Sequence, residues 1–164
     1  MIAPIETYFD GYRFRSRLEA KWAVFFKRSG IRYLYEPEAY PIAGDDCYLP
    51  DFWLPRYRCF FEVKYDTLDP NWTECASRAD ARIAADHSRN LPRILKKPYA
   101  LSRATEQHCL IVFGDPLEHT LYLFEGYKAP LASVFGLLAS IRDNYFARQY
   151  ARCARFEFGE TPRF

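Results

Sequence analysis

Two acids and an amine stand close together near the middle of the chain. Asp51 lies in Tyr48-Leu49-Pro50-Asp51-Phe52-Trp53-Leu54, and Glu62 and Lys64 lie in Cys59-Phe60-Phe61-Glu62-Val63-Lys64. Both stretches alternate. In the first, Tyr48, Pro50, Phe52 and Leu54 fall on one side and Leu49, Asp51 and Trp53 on the other. In the second, Phe61 and Val63 share a face, opposite Phe60, Glu62 and Lys64. A period of two is that of a strand, and Pro55-Arg56-Tyr57-Arg58 between the two reads as a tight connection. The pattern predicts a hairpin that carries two carboxylates and an ammonium on one side. Adjacent carboxylates repel and are costly near apolar neighbours. A divalent cation resolves that cost, and Lys64 then stands where it can touch a phosphate or an attacking water.

Each of these residues also has a plainer reading. Asp51 after Pro50 can cap a turn, and Glu62 with Lys64 can form an ordinary exposed polar face. Trp53, Phe60 and Phe61 crowd the same strands. Polar groups in so apolar a segment usually have partners, which favours a shared site.

The elements that must position these residues follow from the same kind of reading. Ser16 can cap a helix, with Glu19 at the capping-box spacing. Leu18, Trp22, Phe25 and Phe26 give that helix an apolar stripe, and Gly30 is its stop. Capping and a role in a metal site compete for the Glu19 carboxylate. Residues 31–40 read as the next strand, running from Ile31 through Glu36, with Pro37 arguing for an edge position or a strand end; Glu36 reads as a solvated strand-end acid, with a metal-side role as the alternative. Gly44-Asp45-Asp46 reads as a turn. Beyond the hairpin, Asp69-Pro70 opens a predicted helix reaching about His87. Its stripe is Trp72, Ala76, Ala79 and Ile83, with Arg78 and Arg82 further round.

Arg89, Arg93, Lys96, Lys97 and Arg103 then occur with no acid among them, and Asn90, Pro92 and Pro98 predict irregular backbone. Such a segment can hold a nucleic-acid backbone or be a solvated loop. Cys109–Phe113 and Thr120–Phe124 read as an antiparallel pair of strands. A helix over Leu131–Cys153 follows, with a tail from Phe156 that could add an edge strand. Arg148, Arg152 and Arg155 at the end of that helix either contact phosphates or complement its C-terminus.

Composition sets the outer limits. The 164 residues are 49% apolar and 18% aromatic, with 14 Phe and 13 Tyr, enough for a substantial core in one domain. The net charge of +2 does not by itself announce a nucleic-acid binder. There is no apolar run of about eighteen residues and no basic-then-apolar leader pattern at the start. Cys47, Cys59, Cys75, Cys109 and Cys153 are spread without a C-x-x-C pair, which points to reduced thiols in a cytoplasmic setting. His87, His108 and His119 show no ligand spacing.

Pro50-Asp51 followed by Glu62-Val63-Lys64 resembles the signature of the PD-(D/E)XK nuclease superfamily. Glu19 matches the acid that the family usually adds from the helix before the sheet. The resemblance covers roughly residues 14–125. It implies an α/β (α+β) fold with a mixed central sheet flanked by helices, a restriction-endonuclease-like core. Residues 1–164 would form a single nuclease-like domain, the C-terminal helix and tail occupying 131–164. It also implies Mg²⁺, or Mn²⁺ in its place, held by Asp51, Glu62, the main-chain carbonyl of Val63 and Glu19. Lys64 would assist the nucleophilic water. The implied activity is metal-dependent cleavage of DNA, most simply as an endonuclease. The alternatives are a Holliday-junction or branched-DNA resolvase of the same fold, acting as a homodimer, and a non-catalytic nucleic-acid-binding or phage-like assembly module.

Overall fold

An Asp-Gly turn starts the structure, a computed structural model that describes residues 5–44, 46–65, 75–77, 82–84 and 91–156. Asp10 and Gly11 take φ of 51° and 82°, the left-handed pair that a two-residue hairpin turn requires. The turn joins β1 (Thr7–Phe9) to β2 (Tyr12–Phe14), which pair antiparallel.

Helix α1 (Arg17–Arg28) follows, with Ser16 as its N-cap: the Ser16 hydroxyl accepts from the Glu19 N–H. The helix ends at Gly30, where φ is 67° and the Ile31 N–H closes onto the Phe26 carbonyl at 2.8 Å. Then come β3 (Leu34–Tyr35), β4 (Tyr40–Pro41), β5 (Cys47–Tyr48) and β6 (Phe52–Leu54). A single 3-10 turn over Pro55–Tyr57, with Arg58 at φ 49°, leads into β7 (Cys59–Lys64). The remaining elements are β8 (Cys75–Ser77), β9 (Arg82–Ala84), α2 (Arg93–Thr105), β10 (His108–Gly114), β11 (His119–Phe124), α3 (Leu131–Asp143) and α4 (Tyr145–Cys153).

The central sheet is mixed and runs β3-β6-β7-β10-β11, with β9 and β8 added beyond β11. β7 and β10 are parallel neighbours, and β6–β7 and β10–β11 are antiparallel. Strands buried on both faces read as continuous apolar runs, which is what Cys109–Phe113 shows. On one face Phe61, Val63, Leu110, Val112, Leu121 and Leu123 pack under α1, α3 and α4 through Trp22, Phe26, Leu137, Ile141 and Ala147. On the other, Phe60, Ile111, Phe113, Tyr122 and Phe124 pack against Leu95 and Leu101 of α2. Among the described residues, no helix is long and apolar enough to cross a membrane.

The mixed sheet with flanking helices agrees with the expected fold class, and the hairpin lies where alternation places it. Other expectations change. The first strand of the hairpin is split: Tyr48 pairs with Tyr40 in a separate two-stranded sheet, and β6 starts only at Phe52. Pro50 lies at the break, where its missing N–H cannot serve a ladder. Within the helix expected over 69–87, Cys75–Ser77 and Arg82–Ala84 are strands; the rest lies outside the described residues. Pairing with the free edge of β11 overrides the local helical spacing there. The basic segment expected to be irregular is helical from Arg93, with Pro92 at its N-cap and Pro98 inside it. The C-terminal helix is two helices, divided at Asn144, whose side chain caps α4 by accepting from the Ala147 N–H. Phe156 is buried against Phe9, and the tail beyond it lies outside the described residues.

Trp22 is the hub between α1 and the sheet. It is fully buried, its ring meets Phe25, Phe26 and Phe61, and its indole N–H donates to the Gly114 carbonyl at 3.0 Å. Trp22→Ala is expected to lower unfolding free energy by about 3–5 kcal/mol, measured by urea denaturation at unchanged m. A loss under about 1 kcal/mol would mean that α1 is not held to the sheet through this ring.

Candidate functional site

The register of β6 and β7 pairs Phe52 with Phe61, Trp53 with Phe60 and Leu54 with Cys59. One step beyond Phe52 and Phe61, Asp51 faces Glu62, and side chains take over from the ladder. The Asp51 N–H donates to Glu62 Oε1 at 3.1 Å, and the Val63 N–H donates to Asp51 Oδ2 at 2.8 Å. Each acid therefore satisfies the backbone of the other's strand. Asp51 is 4% exposed and Glu62 fully buried. In an antiparallel ladder the N–H and C=O of one residue face the same neighbour, so the Val63 carbonyl lies on the Asp51 side as well.

A cation flanks each acid. Arg15 donates to Asp51 Oδ1 at 2.9 Å and also pairs with Glu36. Lys64 Nζ lies 3.1 Å from Glu62 Oε2, an oxygen that also accepts from the Tyr48 hydroxyl at 2.6 Å. Glu36 takes φ 43°, a left-handed conformation that costs energy for a residue with a side chain. Its N–H donates to the Asp51 carbonyl at 2.9 Å, which holds the backbone of Asp51 from the β3 side.

Glu19 stands beside this network. Its Oε1 accepts from the Ser16 hydroxyl at 2.9 Å and its Oε2 from the Tyr35 hydroxyl at 2.6 Å. The same Tyr35 oxygen accepts from the Arg15 N–H at 3.0 Å. The cap and the site therefore share residues.

Burial pushes the Asp51 carboxyl above its ordinary range, and the neighbouring Glu62 pushes it further; Lys64, the Val63 N–H and Arg15 offset only part of this. Glu19 is raised as well, by burial and then by Asp51. Burial works against the charge on Lys64, but Glu62 and Asp51 outweigh it and the ammonium is held above its ordinary value. Burial and Glu62 raise Tyr48, so it remains a hydroxyl donor. Four acids, Glu19, Glu36, Asp51 and Glu62, thus share two cations, Arg15 and Lys64.

The structure thus brings Asp51, Glu62, Val63 and Lys64 together, with Glu19 next to Asp51. Among the described residues, no three His, Cys, Asp or Glu side chains form a group that could hold a metal ion. The donors present are a pair of buried carboxylates and a main-chain carbonyl. These are hard oxygen ligands, the type that suits Mg²⁺ and Mn²⁺. Both Asp51 oxygens and Glu62 Oε1 each accept one protein donor and keep a second lone pair, while Glu62 Oε2 already accepts two, so the donor set fits such a cation through those three oxygens and the Val63 carbonyl. Each Glu19 oxygen likewise accepts one protein donor and keeps a second lone pair, which leaves direct ligation and contact through a water both open to it.

Arg15, Tyr35 and Tyr48 belong to the site and were not singled out from the sequence. Arg15 precedes the Ser16 cap and is carried by the same helix start as Glu19. Tyr48 lies within the motif stretch itself but reads there as an apolar strand position.

Among the described residues, the basic side chains singled out from the sequence divide between the two faces of the sheet. Arg93, Lys96, Lys97 and Arg103 are on α2. Lys97 pairs with Asp46 at 2.8 Å and lies over the Tyr48 ring, and Arg103 is bonded to Tyr127 and the Glu125 carbonyl. Arg148 and Arg152 are on α4, against α1 on the opposite face; Arg152 pairs with Asp115 and Glu118. Arg155 follows α4, and Arg89 lies outside the described residues. His108 accepts from the Gly126 N–H, and His119 Nδ1 lies 3.1 Å from the Asp115 carbonyl. Both rings hold loops in place. Cys47, Cys59, Cys109 and Cys153 are free thiols.

A raised folded-state pKa means that folded Asp51 keeps its proton where the unfolded chain has lost it. That stabilisation is complete below the unfolded value of about 3.9 and is lost as pH rises through the folded value. Wild-type stability is therefore expected to fall more steeply than that of Asp51→Asn from about pH 4 to pH 8, by about 1.4 kcal/mol for each unit of displacement. Urea unfolding across that range checks it. Parallel pH profiles for the two proteins would show that Asp51 is not held in the strained state described.

Against known proteins, no family model, no curated protein and no solved structure matches this chain.

Proposed function

We propose that this protein is a divalent-metal-dependent nuclease that hydrolyses DNA phosphodiester bonds. The observation that carries the reading is the buried Asp51–Glu62 pair, joined through both backbones, with Lys64 on the Glu62 carboxylate. Two acids are kept side by side in a dry site at a cost that a cation would remove. Asp51, Glu62 and the Val63 carbonyl are the groups that would hold Mg²⁺ or Mn²⁺, with Glu19 alongside. Such an ion supplies Lewis-acid polarisation of the phosphate and a more acidic water.

The chain's own residues have separable parts in this scheme. Arg15 and the Val63 N–H fix the Asp51 carboxylate, each holding one oxygen. Tyr48 and the Asp51 N–H fix Glu62 in the same way. Lys64 remains an ammonium, so its role is to donate to the water or phosphate and to offset developing negative charge, not to accept a proton. Its side chain is 22% exposed, which leaves the amine reachable from solvent beside a fully buried Glu62.

A second reading, a non-catalytic nucleic-acid-binding module, has one observation in its favour. Every oxygen of Asp51 and Glu62 already accepts a protein hydrogen bond, so the network is complete as a structural element.

Incubation with plasmid, linear duplex, single-stranded and four-way-junction DNA, in Mg²⁺, Mn²⁺ or EDTA, separates the two. Wild type is expected to cut in either metal and to be inert in EDTA. Asp51→Ala and Glu62→Ala are expected to abolish cleavage while keeping DNA binding in Ca²⁺. Lys64→Ala is expected to lose about 10²–10³-fold in turnover, the scale of a removed transition-state donor. Retained binding with no cleavage of any substrate, or equal cleavage by Glu62→Ala, would contradict the nuclease reading.

A further inference from the structure

A cavity of about 280 Å³ opens on the α1 face, between the start of α1, Tyr65 at the end of β7 and the chain just after α4. Its charged walls are Arg17, Lys21, Arg155 and Asp115. Arg17 and Lys21 are four apart on α1 and share one helix face, where like charges repel. Neither they nor Arg155 pairs with an acid among the described residues. Among the described residues, Arg17 Nε is shielded from solvent and has no hydrogen-bond acceptor.

Among the described residues, the one acid in the lining is already committed. Asp115 Oδ1 accepts from the Leu117 and Glu118 N–H groups, and Oδ2 faces Arg152 at 3.4 Å. Three cations therefore surround a small cavity, with a buried donor that lacks an acceptor. A tetrahedral anion meets those needs together: its several oxygens match the planar fork of an arginine and the point charge of a lysine at once.

The cavity is linked to the acid network through the backbone. The Leu18 N–H donates to the Tyr65 hydroxyl at 3.3 Å. Tyr65 directly follows Lys64, and Leu18 directly precedes Glu19, so the cavity and the acid network are one residue apart along both elements. Tyr65 is 60% exposed, which leaves the rim open.

We propose that this cavity is a phosphate-binding pocket, formed by Arg17, Lys21 and Arg155, that holds a DNA phosphate beside the one presented to Asp51 and Glu62. That its ligand is DNA rests on the nuclease reading; that it holds a phosphate rests on the pocket itself. Removing a cation that contacts phosphate weakens binding and lowers the salt dependence by about one counterion.

The test is anisotropy of a labelled short DNA in Ca²⁺, with and without a 5′-phosphate, at several salt concentrations. Wild type is compared with Arg17→Gln, Lys21→Gln and Arg155→Gln. Lys128→Gln is the control, a lysine paired with Glu106 at the opposite end of β10. Thermal melts confirm that each variant is folded. Each pocket variant is expected to weaken binding and to reduce the slope of log Kd against log salt by about one, with the control unchanged. An effect that disappears without the 5′-phosphate identifies a terminal phosphate as the ligand, and one that persists identifies an internal phosphodiester. Unchanged slopes in all three variants, a loss equal to that of the control, or no DNA binding by wild type would overturn the pocket. Cleavage in Mg²⁺ is scored separately. A wild type that cuts while the variants keep their slopes sinks the pocket alone, and a wild type that does not cut while the slopes fall sinks the nuclease reading alone.

Discussion

Two hydrogen bonds, from the Asp51 N–H to Glu62 and from the Val63 N–H to Asp51, are the constraint on which this site depends. They continue the β6–β7 ladder with side chains where the backbone pairing stops. Buried backbone donors must find acceptors, and here the acceptors are two carboxylates that repel each other. Removing either acid would orphan a strand N–H as well as a charge. The surrounding residues serve to keep this arrangement in place. Arg15 and Lys64 each cover one acid, Tyr48 orients Glu62, and Glu36 adopts a left-handed backbone to hold the Asp51 carbonyl. A second chain of contacts, from Ser16 through Glu19 to Tyr35 and the Arg15 N–H, ties the helix start to the same point.

The hairpin was legible because its polar and apolar residues alternate across strands whose two faces both pack, so the period survives in the sequence. The Ser16–Glu19 cap was legible because it is local. What escaped the sequence was decided by tertiary contacts. Pro92 and Pro98 read as breakers, yet one stands at the N-cap of α2 and the other sits buried within it. An interior proline costs a helix about 3 kcal/mol. Packing of Leu95 and Leu101 against Phe60, Ile111 and Phe124 offsets that cost. Asn144 divides a helix whose apolar spacing continues across it, because its side chain both caps α4 and reaches Ser29 of α1. Tyr35, Tyr48 and Arg15 were hidden for a related reason: their hydroxyls and guanidinium matter through residues 14–36 positions away.

Placing the basic residues on two faces changes how the protein would meet a polyanion. Among the described residues, neither face carries a continuous positive groove, and several cations are already paired, Lys97 with Asp46 and Arg152 with Asp115 and Glu118 among them. Phosphate contacts would then be few and close to the acid pair, at Lys64 and in the cavity formed by Arg17, Lys21 and Arg155. This agrees with a chain whose net charge is only +2. A shallow salt dependence distinguishes such an interface from one that wraps a long stretch of duplex.

The central claim is that Asp51 and Glu62 are held together for a cation. Calorimetric titration of Mn²⁺ into wild type, Asp51→Asn and Glu62→Gln, near neutral pH and without DNA, tests it directly. The account expects saturable binding by wild type, with proton release as the raised Asp51 carboxyl ionises, and at least about a tenfold loss of affinity in each variant, equivalent to 1.4 kcal/mol. Equal binding by all three proteins, or no binding by wild type, would contradict it.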